Sequence, residues 1–189
     1  MTPCPDLPLT EKLDYFSAAA TILYALYAAV IRLFHLYPAP PSSLSPSGRD
    51  TRRPLLRIWT IVCVVAYISH VTYLSMLARF DYSYNILANT VVGLLHNLLW
   101  VLYAMPLTTV IHRFMGQPKG YRPPYAGKVG WLVLSTMGAM SFELLDFPAL
   151  RRVLDAHALW HLSTALIAVF WYDFLVQDAL DQGWQTVKA

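Results

Sequence analysis

The chain has 189 residues, of which 57% are hydrophobic and only 13% are charged, and its formal net charge is +3. A soluble domain usually carries about 25% charged residues, so this composition excludes a water-exposed globular protein and indicates an integral membrane protein. The small net charge does not indicate nucleic-acid binding. Cys4 lies near the terminus and Cys63 in an apolar run. Neither indicates a disulfide framework or a thiolate metal site.

The N-terminus lacks the basic and apolar regions of a signal peptide, so we expect internal spans to direct membrane insertion. A helix needs about 20 apolar residues to cross the hydrocarbon core. Five stretches qualify, at residues 16–36, 55–76, 86–107, 129–147 and 158–176. Residues 37–54 form a polar loop rich in proline and serine. We therefore predict an all-α fold, a polytopic transmembrane helical bundle in one membrane domain over residues 1–189.

Positive charges predict the orientation of this bundle, because loops rich in lysine and arginine stay in the cytosol. Ten of the 14 lysines and arginines fall on the side of the polar loop and the C-terminus, and four fall on the other side. We therefore predict a lumenal N-terminus and a cytosolic C-terminus. This orientation places six ionisable side chains at the lumenal face: Asp14, Asp81, Glu143, Asp146, His157 and His161.

Asp14 lies at the start of the first span. The helix dipole favours a carboxylate in the first turn, which is one interpretation of this residue. The other is a catalytic role, as a base or as a carboxylate that orients a metal ligand. Further along the chain, His70 and Asp81 flank the end of the second span, and His96 and Asn97 lie in the third. Interhelical hydrogen bonds explain these four residues at least as well as catalysis does.

Glu143 and Asp146 end the fourth span, about one helical turn apart. An ionisable group inside a membrane is costly and usually functional, so we expect Glu143 to pair with Arg151, Arg152 or a histidine. Asp146 lies two residues before Pro148. Proline disfavours helical geometry in the residue that precedes it, so the helix is expected to stop here. For Asp146 we favour this structural role over catalysis.

His157 and His161 open the fifth span, just after Asp155. Residues four apart share one face of a helix and are about 6 Å apart along its axis, so both imidazoles can reach one metal ion. Imidazole suits zinc, and a catalytic zinc typically has three protein ligands and an open position for water. The alternative is two metal-free histidines, hydrogen-bonded to carboxylates or headgroups. We predict a metal site at this pair, with Glu143, Asp146 and Asp155 in supporting or structural roles.

Five segments of the chain together resemble the post-GPI attachment to proteins factor 3 family. They are residues 10–17 (Thr-Glu-Lys-Leu-Asp-Tyr-Phe-Ser), 79–85 (Arg-Phe-Asp-Tyr-Ser-Tyr-Asn), 93–100 (Gly-Leu-Leu-His-Asn-Leu-Leu-Trp), 143–148 (Glu-Leu-Leu-Asp-Phe-Pro) and 155–161 (Asp-Ala-His-Ala-Leu-Trp-His). That family belongs to a superfamily of seven-span membrane hydrolases, which includes alkaline ceramidases and adiponectin receptors.

The resemblance implies an enzyme of GPI lipid remodelling in the membrane of the endoplasmic reticulum or Golgi. It would remove the sn-2 acyl chain from the phosphatidylinositol of GPI-anchored proteins, a phospholipase A2-type ester hydrolysis. The implied cofactor is Zn²⁺, held by His157 and His161, with Asp14 as the catalytic carboxylate. The expected partners are GPI-anchored proteins, their phosphatidylinositol lipid and membrane lipids, and not nucleic acid.

The family pattern is incomplete in this chain. By resemblance, a third metal histidine lies eleven residues before the aspartate that corresponds to Asp14, but that count reaches Pro3. His70 also lies eleven residues before an aspartate, Asp81, but Ala66 stands where the family has a serine. We therefore expect five of the family's seven spans in a chain truncated at its N-terminus. Such a chain would bind metal weakly and have little or no hydrolase activity.

Two other functions are compatible with the sequence. One is a ceramidase-like membrane amidase of the same superfamily, whose loss from cells would alter ceramides rather than GPI acyl chains. The other is a non-catalytic membrane protein that binds GPI lipid or partner helices, in which the paired histidines would be dispensable.

Overall fold

A computed structural model describes residues 8–37, 52–105, 123–145, 147 and 155–181. These residues form five α-helices, and no strand occurs among them. The helices are, in chain order, α1 (Pro8–Leu33), α2 (Arg52–Met76), α3 (Tyr82–Ala104), α4 (Ala126–Leu145) and α5 (Ala156–Leu180). The all-α prediction is confirmed, and each helix covers most of one predicted span.

Within the described residues, four segments are long and apolar enough to cross a membrane: Lys12–Leu33, Arg53–Met76, Tyr82–Ala104 and Ala156–Leu180. The shortest has 22 residues, and that length rises about 33 Å, slightly more than a hydrocarbon core of about 30 Å. The fourth predicted span, residues 129–147, forms α4 but is not among them. In α4, 14 uncharged residues separate Lys128 from Glu143. That length rises only about 21 Å, less than a hydrocarbon core of about 30 Å. The chain is a multi-pass membrane protein.

The crossing helices expose large apolar side chains. Ile58, Ile61 and Val65 of α2 are all more than half exposed, and so are Val169 and Phe170 of α5. Water would disfavour so extensive an apolar surface, whereas lipid tails are as apolar as these side chains. The exposed apolar faces therefore agree with a membrane environment.

The chain divides into two compact units, Met1–Leu99 and Trp100–Ala189. In the first unit α1 and α2 lie against each other in antiparallel directions. The Tyr67 hydroxyl of α2 donates to the Phe16 carbonyl at 3.1 Å, and the hydroxyls of Tyr27 and Thr60 are 3.1 Å apart. The single membrane domain stays a prediction from the sequence.

Polar residues at the junction of α2 and α3 make local contacts in the first unit. Asp81 stands just before α3, and its Oδ1 accepts a hydrogen bond from the Tyr84 backbone N–H at 3.0 Å. The His70 ring is buried, with its centroid 5.5 Å from that of Tyr84. Within α3, the Asn89 side-chain amide donates a hydrogen bond to Asn85 Oδ1 at 3.2 Å. Asp81 therefore makes a local hydrogen bond at the start of α3. His70 Nε2 has no hydrogen-bond partner among the described residues, so the interhelical hydrogen bond expected for His70 stays a prediction.

The chain leaves α1 through a residue in the left-handed region. His35 has a φ of 54°, and the structure describes no other non-glycine residue with positive φ. The backbone N–H of Leu36 then donates to the Ile31 carbonyl at 3.0 Å. This pattern is a common way to end a helix, usually with glycine at the left-handed position.

The second unit contains a buried aromatic cluster around one carboxylate. The Trp100 ring lies 5.4 Å from that of Tyr103 and 5.3 Å from that of Phe174, both in edge-on contact. Asp178, which is only 1% exposed, accepts hydrogen bonds from the hydroxyls of Tyr103 at 2.8 Å and Tyr125 at 3.3 Å. Burial and the charge of Asp178 raise the pKa of Tyr125. This hydroxyl therefore stays protonated and able to donate.

Side-chain contacts join α4 to α5 within the second unit. The indole N–H of Trp171 donates to Thr136 Oγ1 at 3.1 Å. Lys128 Nζ lies 3.4 Å from Asp173 Oδ2, but both side chains are more than half exposed. An exposed ion pair contributes little stability, so the indole contact and apolar packing hold the two helices together.

Candidate metal centre

Asp155 fixes the start of the helix that carries the paired histidines. Its backbone is extended, with φ −101° and ψ 175°, and its side chain caps α5. Asp155 Oδ1 accepts a hydrogen bond from the Ala158 N–H at 2.7 Å. The first four N–H groups of a helix lack partners within the helix, so this bond satisfies one of them. Asp155 therefore caps the helix, and its membership of a metal site stays a prediction.

His157 and His161 follow in the first turns of α5, and both side chains are exposed. Their Nε2 atoms are 3.0 Å apart, and their ring centroids are 4.5 Å apart in an edge-on arrangement. Two nitrogen atoms at this separation can both lie about 2.0–2.1 Å from one zinc ion. The same separation also suits a hydrogen bond from one neutral ring to the other. The pair therefore fits a metal, with both ligand atoms supplied by one helix.

Trp160 packs against both imidazoles. Its ring centroid lies 4.4 Å from that of His161 and 5.4 Å from that of His157. The indole Nε1 is buried and has no hydrogen-bond partner among the residues that the structure describes. Sequence reasoning did not assign Trp160 to the site. The signal was an aromatic residue three positions after His157, a spacing that places two side chains side by side on a helix.

The structure describes the remaining predicted site residues less completely. Asp14 lies in α1, in the first compact unit, with an exposed side chain, and its backbone carbonyl accepts from the Ser17 hydroxyl at 2.9 Å. Glu143 lies in the last turn of α4, but its side chain and the whole of Asp146 fall outside the described residues. Their membership of the site stays a prediction, as does that of Asp14.

A histidine in α3 has a local partner. His96 Nδ1 lies 3.2 Å from Asn97 Oδ1, a distance that suits a hydrogen bond. His96 is partly buried in a membrane-crossing segment. This contact lies within one helix, so the interhelical hydrogen bonds expected for His96 and Asn97 stay a prediction.

Comparison with known proteins gives a consistent match. The model of the Per1-like family matches residues 3–179. "Protein PER1 homolog" of Schizosaccharomyces pombe is 38% identical over 97% of this chain and 50% of its own length. "GPI-specific phospholipase A2-like PGAP3" is 36% identical in Danio rerio, over 93% of this chain and 47% of the relative. The Homo sapiens protein of that name is 37% identical, over 93% and 46%.

The chain spans about half the length of the curated relatives it matches. No solved structure matches it at a significant level.

Proposed function

This chain belongs to the Per1-like family, and we propose on that premise that it takes part in remodelling the lipid of GPI anchors. The support is the name "GPI-specific phospholipase A2-like PGAP3" that relatives in Danio rerio and Homo sapiens carry. The multi-pass fold agrees with a lipid substrate, because the bilayer delivers such a substrate directly to membrane-crossing helices.

The reaction that we propose is hydrolysis of the sn-2 acyl ester of phosphatidylinositol in GPI-anchored proteins, in the endoplasmic reticulum or Golgi membrane. The observation that carries it is the pair His157 and His161, whose Nε2 atoms lie 3.0 Å apart in the exposed first turns of a membrane-crossing helix. The end of such a helix lies near the membrane–water interface, where the ester groups of a phospholipid also lie.

The residues have separate roles in this proposal. His157 and His161 would hold Zn²⁺ through Nε2, and the bound ion supplies a Lewis acid that polarises a carbonyl and activates water. Asp155 fixes the turn of α5 that carries both rings, and Trp160 restricts their rotation by packing against them. By the family resemblance, the Asp14 carboxylate takes a proton from the attacking water and returns it to the departing sn-2 oxygen. The products are a free fatty acid and a lysophospholipid.

We further propose that the 189-residue polypeptide binds zinc weakly and hydrolyses little lipid. The resemblance places a third histidine where the chain has Pro3. A catalytic zinc typically has three protein ligands, so a two-histidine site should hold the ion loosely.

Zinc content tests the metal assignment. The chain purified in detergent should carry well under one zinc per polypeptide, and His161→Ala should remove what remains. His35→Gly is the matched control, because it removes an imidazole outside the pair and should leave zinc content unchanged. Stoichiometric zinc that depends on His161 would contradict weak binding, and zinc unaffected by His161→Ala would contradict the site itself.

Lipid analysis in cells tests the reaction. Cells lacking their own Per1-like protein should keep unremodelled GPI acyl chains when given this chain. They should recover remodelling when it is joined to the part of the Schizosaccharomyces pombe relative that it does not match. Replacing both His157 and His161 by alanine in that fusion should abolish the recovery. A change in ceramides instead of GPI lipids would favour the amidase, and recovery that survives the double substitution would favour a non-catalytic role.

A further inference from the structure

An apolar groove runs between α1 and α2 in the first compact unit. Its volume is about 370 Å³, within the range of roughly 300–1,000 Å³ that ligand pockets occupy. The α2 side of the groove includes Thr60, Val64 and Ile68, and the α1 side includes Leu23 and Tyr27. Both helices are membrane-crossing segments, so hydrocarbon rather than water surrounds the groove.

Three hydroxyls in the groove already have hydrogen-bond partners. The Tyr27 and Thr60 hydroxyls lie 3.1 Å apart, and Thr60 also donates to the Leu56 carbonyl at 2.8 Å. The Tyr67 hydroxyl donates to the Phe16 carbonyl at 3.1 Å. An occupant therefore gains little from polar contacts with these three hydroxyls. The groove suits a hydrocarbon chain.

A row of arginines continues the α2 wall of the groove. Arg53 and Arg57 precede Thr60 and Val64 at spacings of four, three and four residues, so all four lie along one face of α2. Both arginine side chains are exposed. Arg57 lies only about 4.5 Å from Thr60 along the helix axis. Positive charge thus stands at the mouth of an apolar groove, which complements a negatively charged headgroup above an acyl tail.

We propose that this surface, the arginine-ended groove of Arg53, Arg57, Thr60 and Val64, binds an anionic glycerophospholipid. One acyl chain lies between α1 and α2, and the phosphate lies at Arg57 and Arg53. Basic pockets between membrane helices are established sites for acidic lipid headgroups, and the cytosolic leaflet is rich in such lipids. The arginine end is the one that the sequence predicts to be cytosolic. This lipid is bound, not hydrolysed, so the site is additional to the proposed reaction.

Native mass spectrometry of the full chain tests the site. The purified protein is offered dioleoyl phosphatidylserine or dioleoyl phosphatidylcholine, which share their acyl chains and differ in net charge. Each arginine should favour the anionic lipid about five-fold, so we expect Arg57→Gln to lower that preference about five-fold and Arg53→Gln/Arg57→Gln about 25-fold. Arg79→Gln is the matched control, an exposed arginine beyond the far end of α2.

A second pair of variants tests the groove itself. Val64→Trp fills the groove and should reduce retention of both lipids. Val65→Trp is the matched control, because Val65 is similarly exposed. It should leave lipid retention unchanged, because Val65 does not line the groove. Equal retention of the two lipids by the unmodified chain would overturn the proposal. So would equal effects of the two tryptophan substitutions. A change in self-association with Val64→Trp, without a change in lipid retention, would identify a protein helix as the occupant and also overturn it.

Discussion

Asp155 links the folding of α5 to the candidate metal centre, because the capping residue stands two positions before His157. Its carboxylate could have been assigned to catalysis from the sequence alone. The hydrogen bond to the Ala158 N–H shows instead what this side chain does in the structure. The start of the helix that carries both imidazoles is therefore capped by a residue outside the proposed ligand pair.

We predict that Asp155→Ala lowers the free energy of unfolding by about 1 kcal/mol, the usual effect of losing a helix cap. Asp155→Asn should lose much less, because asparagine caps helices about as well as aspartate. Thermal unfolding in detergent measures both. If asparagine is as damaging as alanine, the negative charge of Asp155, and not its capping bond, is what matters.

A second prediction concerns the buried carboxylate of Asp178. Tyr103→Phe removes a hydroxyl that donates to it at 2.8 Å. A hydrogen bond to a charged group contributes about 1.5–3 kcal/mol, so unfolding should become easier by that amount. Tyr172→Phe is the matched control in α5, where the side chain is 72% exposed, and it should change stability by less than about 0.5 kcal/mol. Equal effects of the two substitutions would contradict the assignment.

At the scale of the helix, one residue at the end of α1 has an unfavourable backbone conformation. His35 holds a φ of 54°, a region that costs a residue with a Cβ about 1 kcal/mol or more. We predict that His35→Gly raises the free energy of unfolding by up to about 1 kcal/mol. His35→Ala should give no such gain, because alanine keeps the Cβ. Chemical denaturation in detergent separates them, and a gain with alanine would mean that the imidazole, rather than the backbone, is unfavourable.

Helix identity could be predicted from the sequence, whereas helix ends could not. Apolar composition identifies the part of a helix that lies in lipid, so α1 was predicted from residue 16 although it begins at Pro8. Proline is tolerated in a first helical turn, and polar residues continue the helix beyond the hydrocarbon. For the same reason α5 was predicted to end at residue 176 but continues to Leu180.

The geometry of the histidine pair was predictable because it is local. A spacing of four residues in one helix determines how far apart His157 and His161 lie, and the structure agrees. Asp178 was not singled out, because it fell beyond the predicted end of the last span and its tyrosine partners are distant in sequence. Contacts of that kind arise from tertiary packing, which hydropathy does not encode.

At the scale of the whole molecule, the distribution of basic residues predicts a lumenal N-terminus and a cytosolic C-terminus. An Asn-x-Thr acceptor added at the N-terminus should therefore be glycosylated in cells, and the same acceptor at the C-terminus should not. Sensitivity of the gel mobility to a glycosidase measures this. Glycosylation at the C-terminus alone would reverse the predicted orientation.

The capped histidine pair is also a segment that could be transferred to other proteins. Residues 155–161 contain the cap, both imidazoles and the indole that packs on them, and every contact among these groups stays within the first turns of one helix. Seven consecutive residues thus contain the cap and both proposed metal ligands, and we expect that they can be grafted onto the start of another membrane helix. The carboxylate of Asp178 cannot be moved in this way, because three separate stretches of chain supply its surroundings.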